Sequence, residues 1–160
     1  MKFHVVAVGH RMPAWVSAGF EEYAKRMPRE ARLALKEIKP ESRGGGVAGA
    51  QAVDRMLVAE HRRIVAALPA GCRMVVLDER GRNFSTRQLA DNIAHWQRDG
   101  RDVAFIIGSA DGTAAALKKE ADVLWSLSAL TLPHALVRVV LAEQLYRAVS
   151  ILHNHPYHRD

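Results

Sequence analysis

Short apolar blocks alternate with longer segments of helical period along most of the chain. Phe3 to Val8 (F-H-V-V-A-V) is apolar on both faces apart from His4, the pattern of a strand covered on both sides in a parallel sheet. Gly9 ends it. Pro13 opens a helix whose apolar stripe holds Val16, Phe20, Tyr23, Ala24 and Met27, and Pro28 stops it. Arg32 to Ile38 predicts a second strand. Ala50 to Leu68 predicts a helix with Val53, Leu57, Ile64 and Leu68 on its buried side, broken at Pro69-Ala70-Gly71. Met74 to Leu77 predicts a third strand ending at Asp78, then a polar loop from Glu79 to Phe84 around Gly81. Ser85-Thr86-Arg87-Gln88 is a capping box, in which the Ser85 hydroxyl and the Gln88 side chain satisfy each other's backbone N–H. Leu89, Ile93 and Trp96 mark the helix that follows, and Asp99-Gly100 supplies a left-handed cap. Val103 to Ile107 is a fourth strand, followed by Gly108-Ser109-Ala110-Asp111-Gly112. Thr113 to Glu120 predicts a short helix or turn, and Val123 to Leu127 a fifth strand.

The last third of the chain is the most distinctive. Ser128 to Leu132 alternates small polar and apolar residues, and Pro133 presets a first helical turn. From His134 to about Leu152 the helix is apolar on nearly every side, so it needs burial on nearly every side. At the edge of a small domain that predicts packing on its own sheet and on a second copy across a two-fold axis. The polar exceptions form two groups. Glu143, Arg147, Ser150 and Asn154 share one face; His134 and Arg138 lie roughly opposite. An intrahelical Glu143–Arg147 pair is one reading of the first group.

Alternating strands and helices predict an α/β fold with a mostly parallel sheet flanked by helices, in one domain spanning 1–160. In such sheets ligands sit beyond the carboxyl ends of strands. Leu77, Gly108 and the run Leu127, Ser128, Ala129, Leu130, Thr131, Leu132 are such ends. They offer backbone groups beside apolar side chains, which suits an adenine ring. They are equally compatible with ordinary strand-to-helix turns. Gly108 to Gly112 is not G-x-G-x-x-G, which argues against a Rossmann dinucleotide site and hydride transfer. Gly44, Gly45, Gly46 and Gly49 lie in a surface loop without the Lys-Ser/Thr ending of a phosphate loop.

Composition narrows the partners. The net charge is +6 and the isoelectric point near 9.9, which favours polyanions such as nucleic acid. No apolar run is long enough to span a bilayer and no signal-peptide pattern opens the chain. Cys72, alone, forms no internal disulfide, and a reducing cytoplasm is the expected location.

The run L-S-A-L-T-L-P-H-x-L-V-R-V-x-x-A-E-x-L-Y-R-A, with the tail N-H-P-Y-H-R at Asn154 to Arg159, resembles the ribosomal RNA large subunit methyltransferase H family of the SPOUT class. V-A-V-G-x-x-M-P-x-W at Val6 to Trp15, L-D-x-x-G at Leu77 to Gly81 and D-G-R-D-V-x-x-x-I-G at Asp99 to Gly108 match as well. The resemblance implies a C-terminal trefoil knot and a homodimer. It implies methylation, from S-adenosyl-L-methionine and without metal, of N3 of a pseudouridine in the helix 69 loop of 23S rRNA in the assembled ribosome. A SPOUT enzyme with a transfer RNA target and a catalytically silent ribosome-binding protein are the alternatives. The resemblance assigns the cofactor to Leu77, Gly108 and Leu127 to Leu132. Many relatives carry Gly-Gly where this chain has Gly108-Ser109, so the Ser109 side chain either narrows the cofactor path or is tolerated there. Arg147 is expected to stabilise charge on the uracil carbonyls, with Glu143 orienting it or accepting a proton, beside the cofactor loop. The tail His153 to Asp160 reads as a metal site, as a frayed terminus, or as a cover over the site. In the last case Tyr157 stacks on the target base and His155 or His158 hydrogen-bonds it.

Overall fold

The computed structural model describes residues 1–44, 46 and 48–159; Gly45 and Val47 of the glycine loop and Asp160 of the tail lie outside the described residues. The elements follow in the order β1 (Phe3–Val8), α1 (Ala14–Ala24), β2 (Leu33–Ile38), α2 (Ala50–Ala67), β3 (Arg73–Asn83), α3 (Thr86–Asp99), β4 (Val103–Ile107), α4 (Ala115–Glu120), β5 (Val123–Ser126) and α5 (His134–Leu152). The five strands form one sheet in the order β2-β1-β4-β3-β5, and every pairing is parallel. The expected α/β class holds.

Two apolar layers cover the sheet. Phe3, Val5, Ala7, Val75, Val103, Phe105 and Trp125 face α1, α3 and α5. Val6, Val8, Val76 and Ile106 face the other way, against Ile64 of α2 and Leu117 of α4. Burial on both faces is why β4 reads as an unbroken apolar run and β1 as one interrupted only by His4. The capping box forms: Ser85 Oγ accepts from Gln88 N–H, and Gln88 reaches back to Ser85 N–H at 2.8 Å. Gly100 takes φ 77 and donates to Trp96 O, as a left-handed cap requires.

The segment after Leu77 departs from expectation. Instead of a free polar loop, β3 makes an excursion over 78–81 and returns to β5, so that Leu77 and Arg82 both pair with Trp125. Gly81 permits the return, since a Cβ there would lie 2.6 Å from the backbone N and C of Trp125. The α2 stripe also differs: Ile64 is buried, but Val53, Leu57 and Leu68 are only half-buried, because α2 covers an edge of the sheet.

Helix α5 lies on the sheet between α1 and α3. Val139 packs against Gly19 of α1, and Thr86 of α3 donates to Gln144 at 2.9 Å. Arg138 is 1% exposed; it donates to Glu37 Oε1 at 2.7 Å and to the Gly9 carbonyl at 2.9 Å, tying α5 to the ends of β1 and β2. No helix among the described residues is long and apolar enough to cross a membrane.

Candidate active site

Strands β3, β4 and β5 end side by side, and beyond their carboxyl ends opens a cavity of about 470 Å³. Leu77, Gly108, Leu127, Ser128, Leu130, Thr131 and Leu132 line it. Ala129, expected with them, is not among the lining residues; its neighbours in the loop contribute instead. The loop's shape comes from serine hydroxyls: Ser126 Oγ donates to Ser128 O, and Ser128 Oγ accepts from Leu130 N–H, each at 2.9 Å. Asn83, on the returning part of β3, donates to Ser126 O at 3.0 Å and pins the loop's start.

The turn after β4 is tight. Ser109 N–H donates to Gly112 O at 3.1 Å, and Gly112 N–H to Ser109 O at 2.9 Å. Ser109 has no positive φ; Gly112, at φ 87, takes the left-handed position. Ser109 therefore carries its side chain without backbone strain, and it is one of the residues that line the cavity.

Several further lining residues were not assigned to the site by the sequence. Asp78 pairs with Lys118 of α4 and accepts from Arg80 N–H at 2.9 Å. Burial disfavours the charged carboxylate, but Lys118 and the Arg80 N–H outweigh it and hold Asp78 below the usual carboxylate range. Asp111 accepts from Arg43 Nε at 2.7 Å, which ties the segment after β2 to the cavity rim. Glu79, Arg80, Trp125, Ser126 and His134 complete much of the wall. The ion pairs join residues far apart in the chain, and local periodicity is blind to such partners.

Glu143, Arg147, Tyr157 and His155 form a second cluster. Arg147 Nε donates to Glu143 Oε1 at 2.8 Å, and Tyr157 Oη donates to the same oxygen at 3.0 Å. The guanidinium sits 4.7 Å over the Tyr157 ring, and the Tyr146 ring lies 4.7 Å away. His155 is exposed; its ring is 6.4 Å from Tyr146 and its Nδ1 accepts from Tyr157 N–H at 3.2 Å. The tail is thus folded onto α5 and is not frayed. Burial pushes the Tyr157 hydroxyl well above its ordinary range, with hydrogen bonds to Tyr23 and Glu143 adding to the shift. It stays a donor. The hydrogen bond to Glu143 likewise raises Arg147.

Glu143 and Arg147, expected beside the cofactor loop, are not among the residues that line the cavity in one protomer. His134 and Val137, at the start of α5, line the cavity. A helix rises about 1.5 Å per residue, so Arg147 lies about 15 Å along the axis from Val137, the lining residue of α5 nearest to it. A shared helix face says nothing about distance along the helix. Among the described residues no group of three or more His, Cys, Asp or Glu side chains is arranged to hold a metal ion.

Comparison with known proteins places this geometry. A family profile described as "Predicted SPOUT methyltransferase" matches residues 1–158. The chain is 60% identical to ribosomal RNA large subunit methyltransferase H of Laribacter hongkongensis over 160 residues, covering 100% of both chains. It is 60% identical to the protein of the same name from Burkholderia mallei over 159 residues, covering 99% of each. Among solved structures, a Bacillus anthracis protein described as a candidate RNA methyltransferase aligns with a TM-score of 0.51 at 13% identity, covering 97% of this chain and 96% of that one.

Proposed function

The chain belongs to the SPOUT methyltransferase family, and from that premise we propose that it methylates N3 of a pseudouridine in the helix 69 loop of 23S rRNA. S-adenosyl-L-methionine is the donor, the assembled ribosome is the substrate, and the enzyme is a cytoplasmic homodimer whose C-terminal segment is threaded into a trefoil knot. The observation that carries the proposal is the cavity in which the ends of β3, β4 and β5 meet.

The cavity suits that cofactor in size and chemistry. About 470 Å³ falls inside the usual range of small-molecule sites, roughly 300–1,000 Å³. Leu77, Leu127, Leu130 and Leu132 offer apolar walls for an adenine ring, and the strand ends offer backbone donors and acceptors. When bound, the cofactor supplies a methyl group already made electrophilic by its sulfonium. The chain must then hold the nucleophile in line and favour its anionic form. Arg147 stabilises negative charge on a uracil carbonyl, and Glu143 holds the guanidinium in place. Tyr157, kept protonated, acts through its ring and its donor and takes no proton.

The separation along α5 argues for a composite site. A two-fold copy whose α5 runs in the opposite direction brings its own Glu143, Arg147 and Tyr157 to this protomer's cavity. That contact also covers the half-buried Leu136 and Val140, and Trp15, which is 55% exposed in one protomer.

The test is tritiated methyl transfer to intact ribosomes from cells lacking the protein, with the labelled nucleotide mapped. Label at the helix 69 pseudouridine is the expected result. Label on transfer RNA alone would replace the target. Absence of label together with absence of cofactor binding would leave a silent ribosome-binding protein.

A further inference from the structure

His134, the first residue of α5, lines the cavity and has no part in the mechanism so far. Its ring is wedged in place. Gly9, at φ 129, brings the backbone so close that a Cβ there would lie 2.9 Å from His134 Cε1 and 3.2 Å from an Arg138 terminal nitrogen. Nδ1 is sealed from solvent and meets no hydrogen-bond partner among the described residues; Nε2 is not among the sealed atoms, and is the nitrogen left to meet the cavity.

The surroundings select one protonation state. Burial, then the charge of Arg138, then that of Arg43 hold the imidazole below its ordinary value. Arg138 comes from α5 itself and is paired with Glu37; Arg43 comes from the segment after β2 and is paired with Asp111. The positive end of α5 acts in the same direction. A neutral ring has one proton to place. A sealed N–H without a partner is rarer in folded proteins than a sealed lone pair, so the sealed Nδ1 carries the lone pair. This environment assigns the proton to Nε2.

We propose that His134 is a further catalytic group, whose Nε2–H donates a hydrogen bond to a carbonyl oxygen of the uracil ring being methylated. The inference rests on the methyltransferase reading above. The N3 proton leaves to a water molecule, and the resulting charge spreads onto the ring carbonyls. The N3 electron pair then forms the bond to the methyl carbon, while the carbon–sulfur bond breaks with its electrons going to sulfur. His134 keeps its proton throughout. Its hydrogen bond strengthens as the carbonyl gains charge, which is when a preorganised donor accelerates a reaction.

His134→Gln and His134→Ala test this, because a glutamine amide can donate where Nε2–H does but cannot act as a base at neutral pH. His134→Ala is expected to lower the rate of ribosome methylation about 100-fold and to move the rise of rate with pH to higher pH. His134→Gln is expected to recover most of that rate. In both, the Kd for S-adenosylhomocysteine should change far less than the rate does in His134→Ala. His134→Leu, which keeps bulk beside Gly9, replaces the alanine variant if that one does not fold. A glutamine variant as slow as alanine would overturn the donor role, as would full activity of the alanine variant. A cofactor Kd that weakens in step with the rate would make His134 a cofactor ligand instead. Wild-type protein that leaves ribosomes unlabelled removes the methyltransferase reading and this inference with it.

Discussion

Gly108→Ala joins the fold to the site most directly. Gly108 has no positive φ, so the argument is one of space. A Cβ there would lie 2.4 Å from Gly112 O, 2.6 Å from Gly112 C and 2.7 Å from Thr113 Cγ2. Ordinary contacts begin near 3.4 Å, so the backbone of the turn must move by about an ångström. It has little room to do so. The turn is closed by the paired Ser109–Gly112 hydrogen bonds, and Thr113, Ala114 and Leu117 behind it are buried. Overpacking of this kind costs about 2 kcal/mol. At about 2–4 °C per kcal/mol for a chain of this size, Tm should fall by about 4–8 °C. The same displacement reshapes the cavity wall, and affinity for S-adenosylhomocysteine should drop at least about tenfold. Scanning calorimetry and isothermal titration measure the two effects. Gly46→Ala is the control, since a Cβ at Gly46 meets nothing within 4 Å and no positive φ is needed there. If Gly108→Ala melts with the wild type and binds as tightly, the steric reasoning is wrong.

Three further outcomes are expected. Deleting 155–160 should abolish methyl transfer while leaving cofactor affinity intact; full activity of the shortened chain would remove the tail from the mechanism. Mixing Arg147→Ala protein with Gly108→Ala protein under subunit exchange should restore about a quarter of wild-type activity, because half the dimers are mixed and each then has one intact composite site; no recovery would put both clusters to work within one protomer. The folded protein resists protonation of His134, whose value lies below the ordinary 6.5, while the unfolded chain accepts the proton. Its contribution to stability is therefore complete above about pH 6.5 and is lost as pH falls towards the lower folded value; Tm measured from about pH 8 to about pH 5 should decline less in His134→Gln than in wild type.

Local rules written in the chain set its elements. Apolar runs, interrupted only by His4, made β1 and β4 strands covered on both faces, Ser85 with Gln88 began α3, Gly100 ended it, and Pro133 preceded α5. That Leu77, Gly108 and, apart from Ala129, the run from Leu127 to Leu132 would line a cavity was legible because ligand sites in α/β sheets follow strand ends, and the family motif marked the same stretch. Interactions between distant parts of the chain were left to the tertiary structure. It decided the strand order, the return of β3 to Trp125 that only Gly81 permits, and the pairing of Asp78 with Lys118 and Arg43 with Asp111. It also left Arg147 about 15 Å along α5 from Val137, the nearest lining residue of that helix, where the resemblance had put it beside the cofactor loop. Periodicity records which way a residue faces within its own element. Distance between residues on different elements, or at opposite ends of one, is fixed only when the elements pack.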